Sequence, residues 1–327
     1  MEVSPHSLAG LQFSALNMPN AIAVAWSGGA DSTALLWLLR EHGYAVQAWH
    51  INHQWSEQST EIAALLAERA KAWGIPFTSL NIEKPSKNKE ALSRQGRYTA
   101  FVDLSRVSGC HDVALAHHLD DQAETVCMRM LQGAGVAGCQ GMLAYRQHEG
   151  LNLWRPLLSV SRADIEVYLK SRDIPWEHDV SNDDTSIWRN KIRHQLFAQM
   201  RKAGSEPQHL FLRWQEQAVK QQQAIQSLAK HMVIERLSDV SGEAVTVNWH
   251  DWCSLPFVVR VYVLQQMMGM LFAEGRVLGR RHLLAIEAWR LQGGNSWLNL
   301  PSSCLYRRGQ GLQLCQGKVS LRNTFAE

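Results

Sequence analysis

No two of the six cysteines form a C-x-x-C pair; Cys110, Cys127, Cys139, Cys253, Cys304 and Cys315 are scattered along 327 residues. That scatter argues against zinc or iron–sulfur centres and for reduced thiols in a cytoplasmic protein. The chain also lacks any run approaching the ~20 apolar residues of a membrane span. Residues 1–10 have no basic region followed by an apolar core, so no export signal is expected. No internal repeat stands out, and low complexity is confined to Gln221-Gln222-Gln223. Charge of one sign does not dominate, since the formal net charge is only +3. It is unevenly divided, however. Residues 1–150 carry 11 Lys/Arg against 14 Asp/Glu, and residues 151–327 carry 22 against 16. A basic second half fits a polyanion partner such as RNA, although solvated helix faces give the same balance.

What the chain does have is a stretch around which the rest is organised, Ala21-Ile22-Ala23-Val24-Ala25-Trp26-Ser27-Gly28-Gly29-Ala30-Asp31-Ser32-Thr33. Its near-continuous apolar start suits a strand buried on both faces of a parallel sheet. Ser27, Gly28 and Gly29 then make a tight turn whose backbone N–H groups can face an anion. Ser32 and Thr33 stand where a helix begins, adding hydroxyl donors and the positive end of the helix dipole. Asp31 is the odd residue, because a carboxylate beside a phosphate cradle repels it unless a divalent cation lies between them. Nucleoside triphosphate chemistry is the first expectation.

Along the chain, helices are expected over 32–40, 57–73 and 90–106, and strands over 46–51, 76–82 and 113–116. Strand and helix alternate with short connections, which predicts a doubly wound parallel α/β sheet. In such sheets ligands bind beyond the carboxyl ends of the strands. Three polar clusters follow strands in that way: residues 27–32, His50 to His53, and residues 117–121. The third opens His117-His118-Leu119-Asp120-Asp121-Gln122-Ala123-Glu124-Thr125. If a helix begins near Asp120, Asp121 and Glu124 share a face. Asp120 alone suits a helix N-cap, whereas His118, Asp121 and Glu124 together offer acid/base groups or metal ligands.

Further on, residues 153–158 read as a strand and 162–171 as a helix. Trp188-Arg189-Asn190-Lys191-Ile192-Arg193-His194 sets cations at helical spacing, a pattern that ordinarily marks a solvated face. Residues 207–238 read as one long helix with an apolar stripe of Phe211, Trp214, Ala218, Ile225 and Leu228. Beyond it, a strand at 245–249, helices at 256–270 and 280–292, and a hairpin of 297–300 with 304–307 predict a compact α+β unit. Arg276, Arg280, Arg281, Arg307 and Arg308 are its exposed basic candidates. The expected division is therefore 1–215, a linking helix over 216–240, and a smaller α+β domain over 241–327.

Ser27-Gly28-Gly29-Ala30-Asp31-Ser32 resembles the SGGxDS loop of the PP-loop ATP pyrophosphatase superfamily. His50-Ile51-Asn52-His53, Arg94-Gln95-Gly96-Arg97-Tyr98, residues 117–125, residues 138–142, Arg155-Pro156-Leu157, Ser181-Asn182 and residues 189–194 follow in order. Together they resemble the tRNA(Ile)-lysidine synthetase family over roughly residues 15–215. The chain departs from that family's pattern at Gln54-Trp55 and at His178-Asp179, and it stops near where longer members carry a further C-terminal domain.

The resemblance implies an ATP-dependent carbon–nitrogen ligase acting on the wobble cytidine of the isoleucine tRNA with anticodon CAU. ATP adenylates the cytidine C2 oxygen with loss of pyrophosphate, and the ε-amine of free lysine then displaces AMP. It further implies ATP binding by Ser27, Gly28, Gly29, Ala30, Asp31, Ser32 and His53, with Asp31 holding Mg²⁺ through the phosphates. Arg94 or Arg97 would neutralise charge on the α-phosphate. Asp121 and Glu124 would bind lysine, with His118 or a nearby carboxylate accepting its proton. Arg189, Asn190 and Arg193 fall on the cytidine or tRNA side. The 241–327 unit would bind tRNA, no membrane is involved, and a homodimer is compatible with the sequence. The competing readings are a tRNA thiolase of the same superfamily and a non-catalytic ATP- or RNA-binding protein. The first would call for paired cysteines; the second would show first as loss of Asp31 or of the 118–124 cluster. A carbon–nitrogen ligase with an attached glutaminase would need a large segment ahead of Ser27.

Overall fold

The computed structural model describes residues 8, 13–52, 58–82, 89–177, 188–239, 242–272, 278–294 and 296–317. The chain divides into two compact units, residues 1–218 and 219–327.

The first unit alternates strand and helix: β1 (Ala21–Ala25), α1 (Ala30–Glu41), β2 (Ala45–Asn52), α2 (Gln58–Ala72), β3 (Phe77–Asn81), α3 (Lys89–Ser108), β4 (Asp112–Ala114) and α4 (Leu119–Leu131). There follow α5 (Val136–Cys139), β5 (Tyr145–His148), β6 (Leu151–Trp154), α6 (Arg162–Ser171), α7 (Trp188–Lys191), α8 (Phe197–Lys202) and α9 (Pro207–Ala229). The sheet order is β3-β2-β1-β4-β6-β5. All neighbours pair in parallel except the edge pair β5 and β6.

The apolar run of β1 has the burial such a central strand needs. Ile22, Ala23 and Val24 are fully buried, with side chains directed alternately to the two faces. Ile22, Val24, Ala48 and Ala114 join α1, α2 and α6 in one core. Ala23, Trp49, Val113 and Leu153 join Tyr98, Phe101 and Leu104 of α3 in the other. The chain runs outward from β1 through β2 to β3, then returns to place β4 on the other side of β1. The carboxyl ends of β1 and β4 thus flank a topological switch point, where open α/β sheets bind ligands. A third core of Ala123, Val126, Cys127, Ile192, Phe197 and Phe211 fastens α4 to the 192–197 segment and to α9.

The 153–158 strand is corrected to Leu151–Trp154, ending ahead of Pro156, which cannot donate to a ladder. Edge strand β5 escaped the reading because Tyr-Arg-Gln-His is mostly exposed and shows no apolar alternation. The long helix expected over 207–238 is also corrected, and with it the 216–240 linking helix. α9 ends at Ala229, and Glu235–Asp239 is a strand, β7. Pairing with β8 (Gly242–Asn248) fixes that segment as extended, a tertiary override of local preference. Of the expected α9 stripe, Phe211 and Ala218 are buried, with Gln222 and Ala229 extending it, while Trp214 and Leu228 are exposed.

In the second unit β8 is followed by α10 (Trp249–Ser254), α11 (Phe257–Leu271), α12 (Arg280–Leu291), β9 (Leu298–Leu300), β10 (Ser303–Arg308) and β11 (Gly311–Gln316). Its antiparallel sheet runs β7-β8-β11-β10-β9. The expected hairpin is present as β9 and β10, turning between Leu300 and Ser303. Trp249, Trp252, Val263, Met267 and Trp289 fill the core beneath the sheet.

Candidate active site

Gly28 makes the turn after β1 possible. Its φ is +87°, and a Cβ there would lie 2.8 Å from the Leu66 side chain, so both conformation and space demand glycine. The turn is laced by its own hydroxyls. Ser32 Oγ accepts from the Ser27 N–H at 3.2 Å, lies 3.1 Å from Ser27 Oγ and donates to the Gly29 carbonyl at 3.1 Å. Thr33 Oγ1 donates to the Gly28 carbonyl at 3.2 Å and accepts from Trp26 Nε1 at 3.0 Å. Thr33 is fully buried, which corrects its expected part as a donor to ligand: it braces the turn. Gly29 caps α1 without a side-chain hydrogen bond, and the first-turn N–H groups of any helix lack intrahelical partners. The turn therefore presents backbone donors at a positive dipole end.

His50, near the end of β2, is buried with Nδ1 3.0 Å from the Trp26 carbonyl. Burial pulls its pKa down against that hydrogen bond, so the ring stays neutral. Because the carbonyl accepts, Nδ1 carries the proton. His50 thus anchors the end of β1. His53, the expected nucleotide contact in this segment, lies outside the described residues, as do His178, Asp179, Ser181, Asn182 and Arg276.

Asp31, in the first turn of α1, faces the turn after β4. Its Oδ2 lies 3.2 Å from Arg162 Nη1 and 3.7 Å from His118 Nε2. Its Oδ1 is buried without a hydrogen-bond partner among the described residues. Burial pushes the Asp31 carboxyl up, against the pull of His118 and Arg162. His118, not Asp120, is the N-cap of α4, and its N–H donates to Asp121 Oδ2 at 3.1 Å. The buried imidazole sits among three carboxylates: Asp31, Asp120 at 3.6 Å from Nδ1, and Asp121 at 3.4 Å from Nε2. Burial opposes its protonation, but these neighbours outweigh burial and raise its pKa.

The expected N-cap role of Asp120 is replaced by a structural one. Its carboxylate accepts from the Arg162 N–H at 2.9 Å and from Gln208 Nε2 at 3.0 Å. Despite burial, these bonds and His118 hold it well below the usual carboxylate range. Asp121 is likewise lowered: burial works against ionisation and is outweighed by His118, Arg189 and the His118 N–H.

Asp121 and Glu124 share a face of α4, as the spacing predicts, and that face meets the basic segment. The rod from α7 to α8 widens into a π-helical turn at Ile192–Leu196, a distortion often found at functional sites. Arg193, on this turn, grips Glu124 with both ends of its fork, Nε at 2.6 Å from Oε1 and Nη2 at 3.0 Å from Oε2, and reaches Asp121 Oδ1 at 3.4 Å. Arg189 donates to Thr125 Oγ1 at 3.1 Å and lies 3.9 Å from both Asp121 and Glu124. Buried Asn190 belongs to the same turn of helix. Residues expected to serve lysine and residues expected to serve cytidine or tRNA thus form one network. Burial pushes the Glu124 carboxyl up, against the hydrogen bonds from Arg193.

Arg94 and Arg97 lie on α3. Arg97 is exposed, and its charge, with that of Arg155 and Arg189, adds to burial in lowering the pKa of His117 to about 3. The Arg94 side chain is outside the described set. Gln122 holds residue 142 by both amide atoms, donating to the Met142 carbonyl at 2.8 Å and accepting its N–H at 2.6 Å. A Cβ on Gly141 would collide with that amide at 2.5 Å.

Arg162, Asp120, Gln208 and Gln122 went unmarked as site residues in the sequence. Only Arg162 carries a local signal, a cation at the start of a helix where the dipole disfavours one.

Among the described residues no group of three or more His, Cys, Asp or Glu could hold a metal ion by itself. Mg²⁺ does not ask for such a cage, since one or two carboxylates with substrate phosphates suffice. Asp31 supplies one carboxylate whose buried Oδ1 has no hydrogen-bond partner among the described residues, and the donor set fits that ion.

A model of the PP-loop domain matches residues 6–200. A protein of Chlamydia caviae named tRNA(Ile)-lysidine synthase is 35% identical over 188 residues, covering 57% of this chain and 59% of that protein. Proteins of the same name from Porphyromonas gingivalis and Solibacter usitatus are 36% and 38% identical, covering 60% and 55% of this chain and 44% and 40% of theirs. The chain spans less than two thirds of these curated relatives' length. The structure of the U34-tRNA thiolase NcsA from Methanococcus maripaludis, with its 4Fe–4S cluster, is similar at a TM-score of 0.53 and 16% identity. It covers 66% of this chain and 78% of that one, a likeness of fold.

Proposed function

The chain belongs to the PP-loop domain family, and on that premise we propose that it is a cytoplasmic tRNA(Ile)-lysidine synthase. It uses ATP to adenylate the C2 oxygen of the wobble cytidine and free lysine to displace AMP. The observation that carries this reading is the meeting, at one sheet switch point, of an anion-ready turn with a buried carboxylate cluster. The relatives' shared name supports the same substrate set.

Each part has a chemical task. A carbonyl oxygen leaves poorly and an adenylate leaves well, so the first step must expel pyrophosphate. The 27–32 turn receives that anion with backbone N–H groups. Bound at Asp31, Mg²⁺ would screen the phosphates and stabilise the departing charge. Arg94 or Arg97 serves the α-phosphate. Incoming lysine brings ammonium groups into a low-dielectric cleft, where Asp121 and Glu124 are the acidic partners. The ε-ammonium must lose a proton before it attacks, and a nearby carboxylate or His118 takes it. Arg189, Asn190 and Arg193 belong to the cytidine side. A cytidine in an anticodon loop is unpaired, so turning it into the cleft costs little.

The experiment is incubation with ATP, labelled lysine and unmodified tRNA(Ile) bearing CAU. Label in the tRNA, with AMP and pyrophosphate released one for one, is the expected result. Turnover of ATP without lysine transfer would contradict the reading.

A further inference from the structure

Asp31 is the one acidic residue in the turn after β1, yet a guanidinium already holds it. Arg162 stands 131 residues away in sequence, and its Nη1 lies 3.2 Å from Asp31 Oδ2. The same side chain is steadied from behind, with Nε 3.2 Å from Glu166 Oε1 one turn along α6. The Arg162 backbone is fixed independently, because its N–H donates to Asp120 Oδ2 at 2.9 Å. Ser161 caps the helix by accepting from the Asp164 N–H at 3.1 Å, and Ile165, Tyr168 and Leu169 of α6 share the core of α1. A cation is thus placed at a helix start, where the dipole opposes it, and aimed at the carboxylate beside the phosphate cradle. About a third of the Arg162 side chain is exposed, which leaves it room to move.

We propose that Arg162 is a stand-in cation and a phosphate ligand: it occupies Asp31 in the free protein and passes to a nucleotide phosphate when a divalent cation takes that carboxylate. The proposal rests on the ATP-dependent reading above. A guanidinium and a divalent cation on one carboxylate are like charges that repel at close range, so each weakens the other's hold on Asp31. The buried Oδ1, which has no hydrogen-bond partner among the described residues, is what the arginine leaves unsatisfied. Once displaced, the guanidinium stays tethered at Glu166 beside the 27–32 turn, and its planar fork matches phosphate oxygens. The exchange keeps the cleft near electrical balance in both states: without nucleotide Arg162 answers Asp31, and with nucleotide it answers the extra phosphate charge.

The test is calorimetric binding of α,β-methylene ATP across a magnesium titration, with wild type, Arg162→Ala, Arg162→Gln and Arg162→Lys. A pair as exposed as this one predicts that removing the charge lowers the magnesium concentration for half-maximal binding by about 2- to 5-fold. At saturating magnesium the same variants should bind the analogue about tenfold more weakly, because a charged phosphate contact is gone. Arg162→Lys should keep the wild-type magnesium requirement. A purely structural arginine would weaken binding at every magnesium concentration without lowering the requirement. An unchanged or higher magnesium requirement in both Arg162→Ala and Arg162→Gln, with wild-type melting temperatures, overturns the proposal. A wild-type protein that binds no analogue at any magnesium concentration overturns it together with the ATP reading. Failure to transfer lysine alongside the crossed magnesium pattern overturns only the lysidine reading. Circular dichroism checks the fold, and the Arg162 N–H bond to Asp120 does not depend on the side chain.

Discussion

The turn after β1 and the turn after β4 leave the same sheet rim from neighbouring parallel strands, yet they are built from opposite materials. The first is backbone and hydroxyl, with Asp31 as its single acid and Gly28 as its conformational requirement. The second is ionisable side chain almost throughout: His118 among three aspartates, and Glu124 clasped by Arg193. On the proposed function, the difference follows the charge each would meet. A phosphate is well served by N–H groups that bring no counter-charge of their own. An ammonium needs carboxylates, and buried carboxylates need partners when the ammonium is absent. Arg193 is that partner for Glu124, as Arg162 is for Asp31.

The largest effect should come from removing the charge of the first turn's single acid. Asp31→Asn is expected to lower ATP-to-AMP turnover with tRNA and lysine by about three orders of magnitude, with the melting temperature near wild type. Normal turnover by a folded variant would show that Asp31 has no part in holding the cation. On the β4 side, Arg193→Ala strands Glu124 and should cost about 3 kcal/mol of stability. Adding Glu124→Ala should recover part of it, and a denaturant double-mutant cycle reads the coupling. Purely additive losses would mean that the clasp is not what stabilises the buried acid. Smaller again is Gly28→Ala, which forces a positive φ and a contact with Leu66. About 1–3 kcal/mol of stability should be lost, with nucleotide affinity falling more than lysine affinity. Equal losses for both ligands would erase the contrast between the two turns.

The two turns also differ in how legible they were. The SGGxDS turn declares itself because every requirement is local: an apolar strand, a glycine that must take positive φ, and a helix start. The alternating strands and helices of the first unit are legible for the same reason. Asp121 and Glu124 could be placed on one face from spacing alone. What spacing could not show is who meets them, since Arg193 is 69 residues from Glu124 and Arg162 is 131 from Asp31. Asp120 misled because an acid near a helix start is a cap by local rules, whereas here His118 caps and Asp120 ties α6 and α9 to α4 through Arg162 and Gln208. In the second unit, β7 was missed because its extended form is imposed by pairing with β8. Glu-Arg-Leu-Ser-Asp continues a helical pattern as readily as it forms a strand.

The central claim is that the two turns divide the reaction, leaving-group departure at β1 and lysine entry at β4. Single-turnover reactions with tRNA and ATP labelled in the α-phosphate, followed by a lysine chase, test it most directly. Asp121→Asn should accumulate α-phosphate label on tRNA at nearly the wild-type rate and, on the lysine chase, release it as AMP about tenfold more slowly, while Asp31→Asn accumulates none. Equal failure of both variants at the labelling step would contradict the division.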